Sequence, residues 1–172
     1  MTEYFVQQDL EQAKKLKTKT LINYLLVLGL YVVISAGLLM WYLALPYKSP
    51  TIALVKWIHY PLTIVMVLFS AIYLGIKYKR VKRYYLLAFN LINARKETSE
   101  GSFLEYSEWL QDKDGVDCKA LIFLEWNKYK KDYFERKVLV LYDRPFPEIP
   151  EKAKVRYVTQ GNVLFSYEIL EQ

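Results

Sequence analysis

The sequence predicts a membrane protein of the α+β class, a two-helix transmembrane hairpin followed by a small antiparallel β-barrel-like cytosolic domain of OB or SH3 type. Three observations carry this expectation. Residues 20–47 contain no Asp, Glu, Lys or Arg, residues 57–76 again contain none, and beyond Gly101 the apolar period falls from helical to alternate. A chain that is 53% hydrophobic and also 24% charged must segregate the two kinds of residue, and this one does so along its length.

Each uncharged window reaches the roughly 20 residues that a helix needs to cross a hydrocarbon core about 30 Å thick. The first holds fourteen Leu, Ile or Val between Leu21 and Leu45, each favouring insertion by about 0.3–0.6 kcal/mol. Pro61, Thr63 and Ser70 dilute the second, but Ile58, Leu62, Ile64, Val65, Leu68, Phe69 and Ile72 still dominate it. The first window is too long for the apolar part of a cleaved leader and ends in Leu45-Pro46-Tyr47 rather than small residues, so it reads as an uncleaved anchor.

Orientation follows the bases that flank the spans, because they resist translocation. Lys14, Lys15, Lys17 and Lys19 precede the first span, and Lys77, Lys79, Arg80, Lys82 and Arg83 follow the second. Only Lys48 and Lys56 stand between them. Both termini are therefore expected in the cytoplasm and the chain in the cell membrane. Trp41, Tyr42, Tyr47, Trp57 and Tyr60 would mark the outer headgroup level, and Tyr24, Tyr73 and Tyr78 the inner one.

Helical spacing of Val6, Leu10 and Ala13 predicts a short amphipathic helix within residues 1–19, lying along the inner surface. The spans follow at 20–46 and 56–78, joined by an outer loop at 47–55. Val81, Tyr84, Tyr85, Ala88, Leu91 and Ile92 continue a basic amphipathic helix to about Arg95, within a segment 79–98. The polar run Lys96–Gly101 marks the boundary of the last domain, 99–172.

In that domain the alternation is clearest at Cys118, Ala120, Ile122, Leu124 and Trp126, and at Val163, Phe165, Tyr167 and Ile169; these are expected to face the core. Residues 103–110, 133–142 and 155–158 are further strands. Asp114-Gly115 and Gly161-Asn162 suit tight turns. The proline-rich run 144–150 cannot pair as a central strand and reads as a rigid crossing loop.

Charge and motif content narrow the chemistry. Residues 99–172 hold eleven bases and fourteen acids, about −3, so the net charge of +6 belongs to the membrane-proximal part. Nucleic acid is not the expected main partner, despite Lys128, Lys130 and Lys131 lying near Trp126, Tyr129 and Tyr133; Glu125, Asp132 and Glu135 dilute that cluster. Asp112, Asp114 and Asp117 do not fit a calcium loop, since the twelfth position is Phe123. His59 and Cys118 are each the sole residue of their kind, so no histidine triad, zinc set or disulfide framework is expected from one chain. No phosphate loop or nucleophile elbow occurs, and no enzyme activity, metal or cofactor is expected.

What remains is an interaction module. Lys77, Lys79, Arg80, Lys82 and Arg83 are expected to meet anionic lipid headgroups. Gly29, Gly37, Ala71 and Gly75 are expected to pack helices, either within the hairpin or against another membrane subunit or a second copy. Phe146 and Ile149 of the proline loop, with the C-terminal strand ending at Gln172, are the expected contact surface for a protein partner. The alternative function is an accessory subunit of a larger transport or secretion complex that assembles through its spans.

Overall fold

The computed structural model describes residues 1–127 and 129–171; Lys128 and Gln172, both named above, lie outside the described residues. The chain divides into two compact units, Met1–Lys14 with Arg83–Gln172, and Lys15–Lys82.

No glycine or proline interrupts residues 7–28, and one helix, α1, accordingly runs unbroken over Gln7–Ala44. The separate surface helix expected in residues 1–19 does not form. Instead Thr2–Glu3 is a short strand, β1, and the Asp9 carboxylate accepts the Val6 N–H at 2.8 Å to cap the start of α1. Helix α2 covers Thr51–Ile72, the π-helical segment Tyr73–Tyr78 follows, and α3 continues over Lys79–Asn93.

Within the Lys15–Lys82 unit, two helical stretches are long and apolar enough to cross a membrane. Their more buried residues fall at alternating spacings of four and three, Tyr24, Leu28, Tyr31, Ser35, Leu38 and Tyr42 on α1 against Val55, His59, Leu62, Met66, Phe69 and Tyr73. Hydroxyls tie this seam together. The Thr63 and Ser70 hydroxyls donate to helix carbonyls of His59 and Met66 at 2.9 and 2.8 Å, which leaves them as acceptors. Tyr31 and Tyr24 donate to them at 3.0 and 3.2 Å, and Tyr73 donates to the Thr20 carbonyl at 3.0 Å.

The other unit is a closed five-stranded barrel. Strands β2 (Glu97–Lys113), β3 (Val116–Asn127) and β4 (Asp132–Leu141) form a meander, and β5 (Lys154–Gln160) pairs with β6 (Val163–Glu171). Closure comes from β2 pairing with β5 and from a parallel contact of β4 with β6 at Leu139 and Val163; β1 adds antiparallel to β6. The polar run read as the domain boundary is strand from Glu97 onward, with Glu97 opposite Thr159 and Gly101 opposite Val155. Gly101 is needed there because a Cβ would stand 3.0 Å from the Leu124 carbonyl. Both expected tight turns form with positive φ, 55° and 78° at Asp114 and Gly115, and 55° and 67° at Gly161 and Asn162.

Two cores share the sheet. Phe103, Leu121, Phe123, Val138, Val140, Val155, Tyr157 and Leu164 fill the barrel. Cys118 and Ala120 instead face outward, where they pack under Phe5 just before α1, Ala13 of α1, and Leu87, Ala88 and Leu91 of α3. This corrects the face assigned to β3: the alternation at 118 and 120 is real, but those small side chains accommodate helices, while Leu121 and Phe123 point inside. On β6 a bulge at Phe165, between the pairs Val158–Ser166 and Thr159–Leu164, switches faces. Phe165 joins the helix-covered core, and Leu164, Tyr167 and Ile169 join the barrel core.

Candidate functional site

The proline loop between β4 and β5 is held by its own chain rather than presented. The Tyr106 hydroxyl accepts the Ile149 N–H at 2.9 Å and faces the carbonyls of Pro147 and Ile149 at 2.9 and 3.0 Å. The Tyr106 ring lies 4.9 Å from that of Phe146, and the Lys119 ammonium stands 5.0 Å over the Phe146 ring. Ile149 is only 5% exposed and belongs to the barrel core, so its side chain cannot serve as the contact expected of it. Phe146 is half-buried.

Arg144 of the same loop fastens the N-terminal segment. Its guanidinium pairs with Asp9 at 2.5 Å, donates to the Tyr4 carbonyl at 2.6 Å and covers the Phe5 ring at 4.9 Å, while the Tyr4 hydroxyl donates to the Pro145 carbonyl at 2.9 Å. Burial, against the pull of Arg144, pushes the Tyr4 phenol up to about 12. Sequence periodicity marked this segment as helical but carried no sign of the clasp, which joins residues more than 130 positions apart.

At one end of the barrel interior, Arg136 meets Ser99 at 2.8 Å, Asn162 at 3.3 Å, Glu125 at 3.4 Å and Thr159 at 3.4 Å. The Tyr157 hydroxyl donates to the same Glu125 carboxylate, and burial followed by that bond raises the Tyr157 pKa far above its ordinary value. The Glu125 carboxylate thus has two donors and Arg136 is surrounded by acceptors, which is what a buried pair requires to persist. Glu125, adjacent in sequence to the hairpin tip, is thus buried and paired with Arg136.

That tip carries an exposed aromatic cluster of the barrel. Trp126 and Tyr133 are cross-strand partners of β3 and β4, edge to face at 4.8 Å, and are 50% and 59% exposed. Tyr129 in the connection is 98% exposed, and its N–H donates to Asn127 Oδ1 at 2.9 Å. A second exposed pair, Trp109 and Leu110, rides on the irregularity of β2 between Ser107 and Gln111.

The remaining expected residues fall as follows. Lys77, Lys79, Arg80, Lys82 and Arg83 are all exposed. Arg83 also lies against the β2–β3 turn, where its guanidinium fills the space a Cβ on Gly115 would take. Gly29, Gly37 and Gly75 have nothing within 4 Å of such a Cβ, and Ala71 is exposed. They stand off the tyrosine seam, so self-packing of the hairpin does not use them. Cys118 is buried, and burial followed by repulsion from Asp112 raises its thiol to about 11, which leaves it protonated and inert at neutral pH. Among the described residues no group of three His, Cys, Asp or Glu side chains is placed to hold a metal ion.

The chain matches no protein-family model, no curated protein and no solved structure.

Proposed function

We propose that this chain is a membrane-anchored, non-enzymatic interaction module, in which a two-span hairpin holds an OB-type barrel at the cytoplasmic face and the barrel binds a protein partner. The OB reading is supported by the strand order: the first three barrel strands form a meander, the first also pairs with the fourth, and the third and fifth run parallel. An SH3-type barrel is a continued antiparallel meander and lacks that parallel contact. In OB barrels the second and third strands form the usual binding face. Here those strands are β3 and β4, the two that display Trp126 and Tyr133.

The observation that carries the reading is this exposed pair with Tyr129 beside it. Aromatic side chains bury large area at little entropic cost and are enriched at protein interfaces. A protein partner is favoured over nucleic acid by the acidic balance of residues 99–172. Anchoring is supported by the two apolar helices, and the four-two-five distribution of flanking bases favours an orientation with both termini on the cytoplasmic side of the cell membrane and the basic cluster near anionic headgroups.

Purification of the tagged full-length chain in mild detergent tests the contact. A protein recovered at stoichiometric yield should be lost from the Trp126→Ala/Tyr133→Ala variant and kept by Phe146→Ala. Retention by the double variant would refute the aromatic surface. A second reading, an accessory subunit joined through its spans, draws support from the outward placement of Gly29, Gly37 and Gly75; it predicts that Gly29→Leu/Gly37→Leu loses the partner while the Trp126→Ala/Tyr133→Ala variant keeps it.

A further inference from the structure

Between α1 and α2, near the short loop that joins them, lies a cavity of about 360 Å³. Ligand clefts run from about 300 to 1,000 Å³, so its size admits part of an amphiphile rather than a whole one. Leu38, Leu39 and Val55 form an apolar wall, and Tyr42, Lys56 and His59 supply the polar groups. The Lys56 ammonium stands 5.9 Å from the centre of the Tyr42 ring.

The charge balance of the hairpin decides what such a groove would take. No Asp or Glu occurs between Glu11 and Glu97, so the unit Lys15–Lys82 contains no carboxylate at all. Lys56 is therefore an exposed cation that no carboxylate of its own unit neutralises, lining an apolar groove. His59 and Tyr42 beside it are hydrogen-bonding groups suited to phosphate oxygens, and the leucine wall suits the start of an acyl chain.

We propose that this groove binds one anionic phospholipid, with its phosphate and headgroup at Lys56, His59 and Tyr42 and an acyl chain along Leu38, Leu39 and Val55. The site rests on the reading of the hairpin as membrane-spanning, and it would make the lipid a built-in part of the outer end of the anchor. Lys48 is the natural control. It is the other base of the inter-helix region, but its ammonium lies over the neighbouring Tyr47 ring at 5.6 Å and it does not line the groove.

Native mass spectrometry of the full-length protein, titrated in non-ionic detergent with phosphatidylglycerol or phosphatidylcholine, tests the proposal. Wild type should bind one phosphatidylglycerol about fivefold more tightly than phosphatidylcholine, the equivalent of about 1 kcal/mol for one base near a headgroup. Lys56→Gln should reduce that preference to what the Lys77–Arg83 cluster alone supplies, Lys48→Gln should keep it whole, and Leu39→Trp should weaken both lipids by filling the groove. Equal binding of the two lipids to wild type, an equal loss in Lys48→Gln, or displacement by inorganic phosphate alone would overturn the site. Release of the wild-type chain from membranes by alkaline carbonate would instead sink the membrane reading on which it stands.

Discussion

The two units of this chain are stabilised in opposite ways. In the barrel unit, two apolar cores and a buried Arg136–Glu125–Tyr157 network leave few inward polar atoms without a partner. In the hairpin unit only Thr20, Val55 and Met66 are buried among the described residues, and large side chains such as Leu26, Val33, Met40 and Leu43 are exposed over most of their surface. The barrel supplies its own apolar interior. The hairpin pairs tyrosines and hydroxyls inward along one seam, with the Ser35 hydroxyl left buried and unpartnered there, and depends on its surroundings to cover the rest. That inversion is what a helical hairpin in lipid requires, because lipid rewards apolar exposure and penalises unsatisfied polar groups.

The largest expected effect comes from breaking the polar network of the barrel. Arg136→Ala leaves the Glu125 carboxylate buried without its cation and should cost about 3 kcal/mol. Chemical denaturation of a background that keeps Trp126 as its sole tryptophan, followed by its fluorescence, should show an earlier barrel transition while the helical signal of the hairpin persists. Loss of both signals together would mean that the units are not separately stabilised. Next, Arg144→Ala removes the Asp9 pair and the bond to the Tyr4 carbonyl, and should cost about 1–2 kcal/mol. Hydrogen exchange should rise in residues 1–14 and stay unchanged in residues 15–82.

A third effect is confined to the barrel unit and depends on pH. The Cys118 thiol and the Tyr4 phenol have folded pKa values raised to about 11 and about 12, against 9.0 and 10.0 in their ordinary state. The unfolded chain therefore ionises first, so this contribution to stability is complete below pH 9 and is lost as pH rises through the folded values. Thermal denaturation should be flat between pH 7 and 9 and fall from pH 9 to 11, with Cys118→Ala reducing the early part of the fall. The smallest effect belongs to the hairpin: Gly29→Leu and Gly37→Leu meet open space and should change its stability by less than about 0.5 kcal/mol. A larger loss, read as lost helicity in detergent, would place these glycines in the hairpin contact after all.

How much of this was legible in the sequence depended on the range of the interaction. The two apolar helices, the five barrel strands and both glycine turns follow from local period and local charge, and Asp114-Gly115 and Gly161-Asn162 fall where their residue types demand. The face of β3 did not follow, because Cys118, Ala120, Leu121 and Phe123 are all apolar and only the position of α3 tells which pair is inside the barrel. Ile149 was misjudged for a related reason. A proline loop is exposed by default, and nothing local reveals that Tyr106, 43 residues away, ties its backbone down. Arg144 with Asp9 and Glu125 with Tyr157 are long-range pairs of the same kind. Trp126 and Tyr133 were visible as residues, but their joint exposure depended on knowing which face of the sheet the helices cover.

The most direct test of the account is the membrane topology of the hairpin. In a Cys118→Ala background, Tyr47→Cys in the inter-helix loop and Glu151→Cys in the barrel are treated with a membrane-impermeant maleimide in intact cells and after lysis. The account predicts labelling of Tyr47→Cys in intact cells and of Glu151→Cys only after lysis. Labelling of both sites in intact cells, or of neither before lysis, would contradict a two-span hairpin with its barrel on the cytoplasmic side.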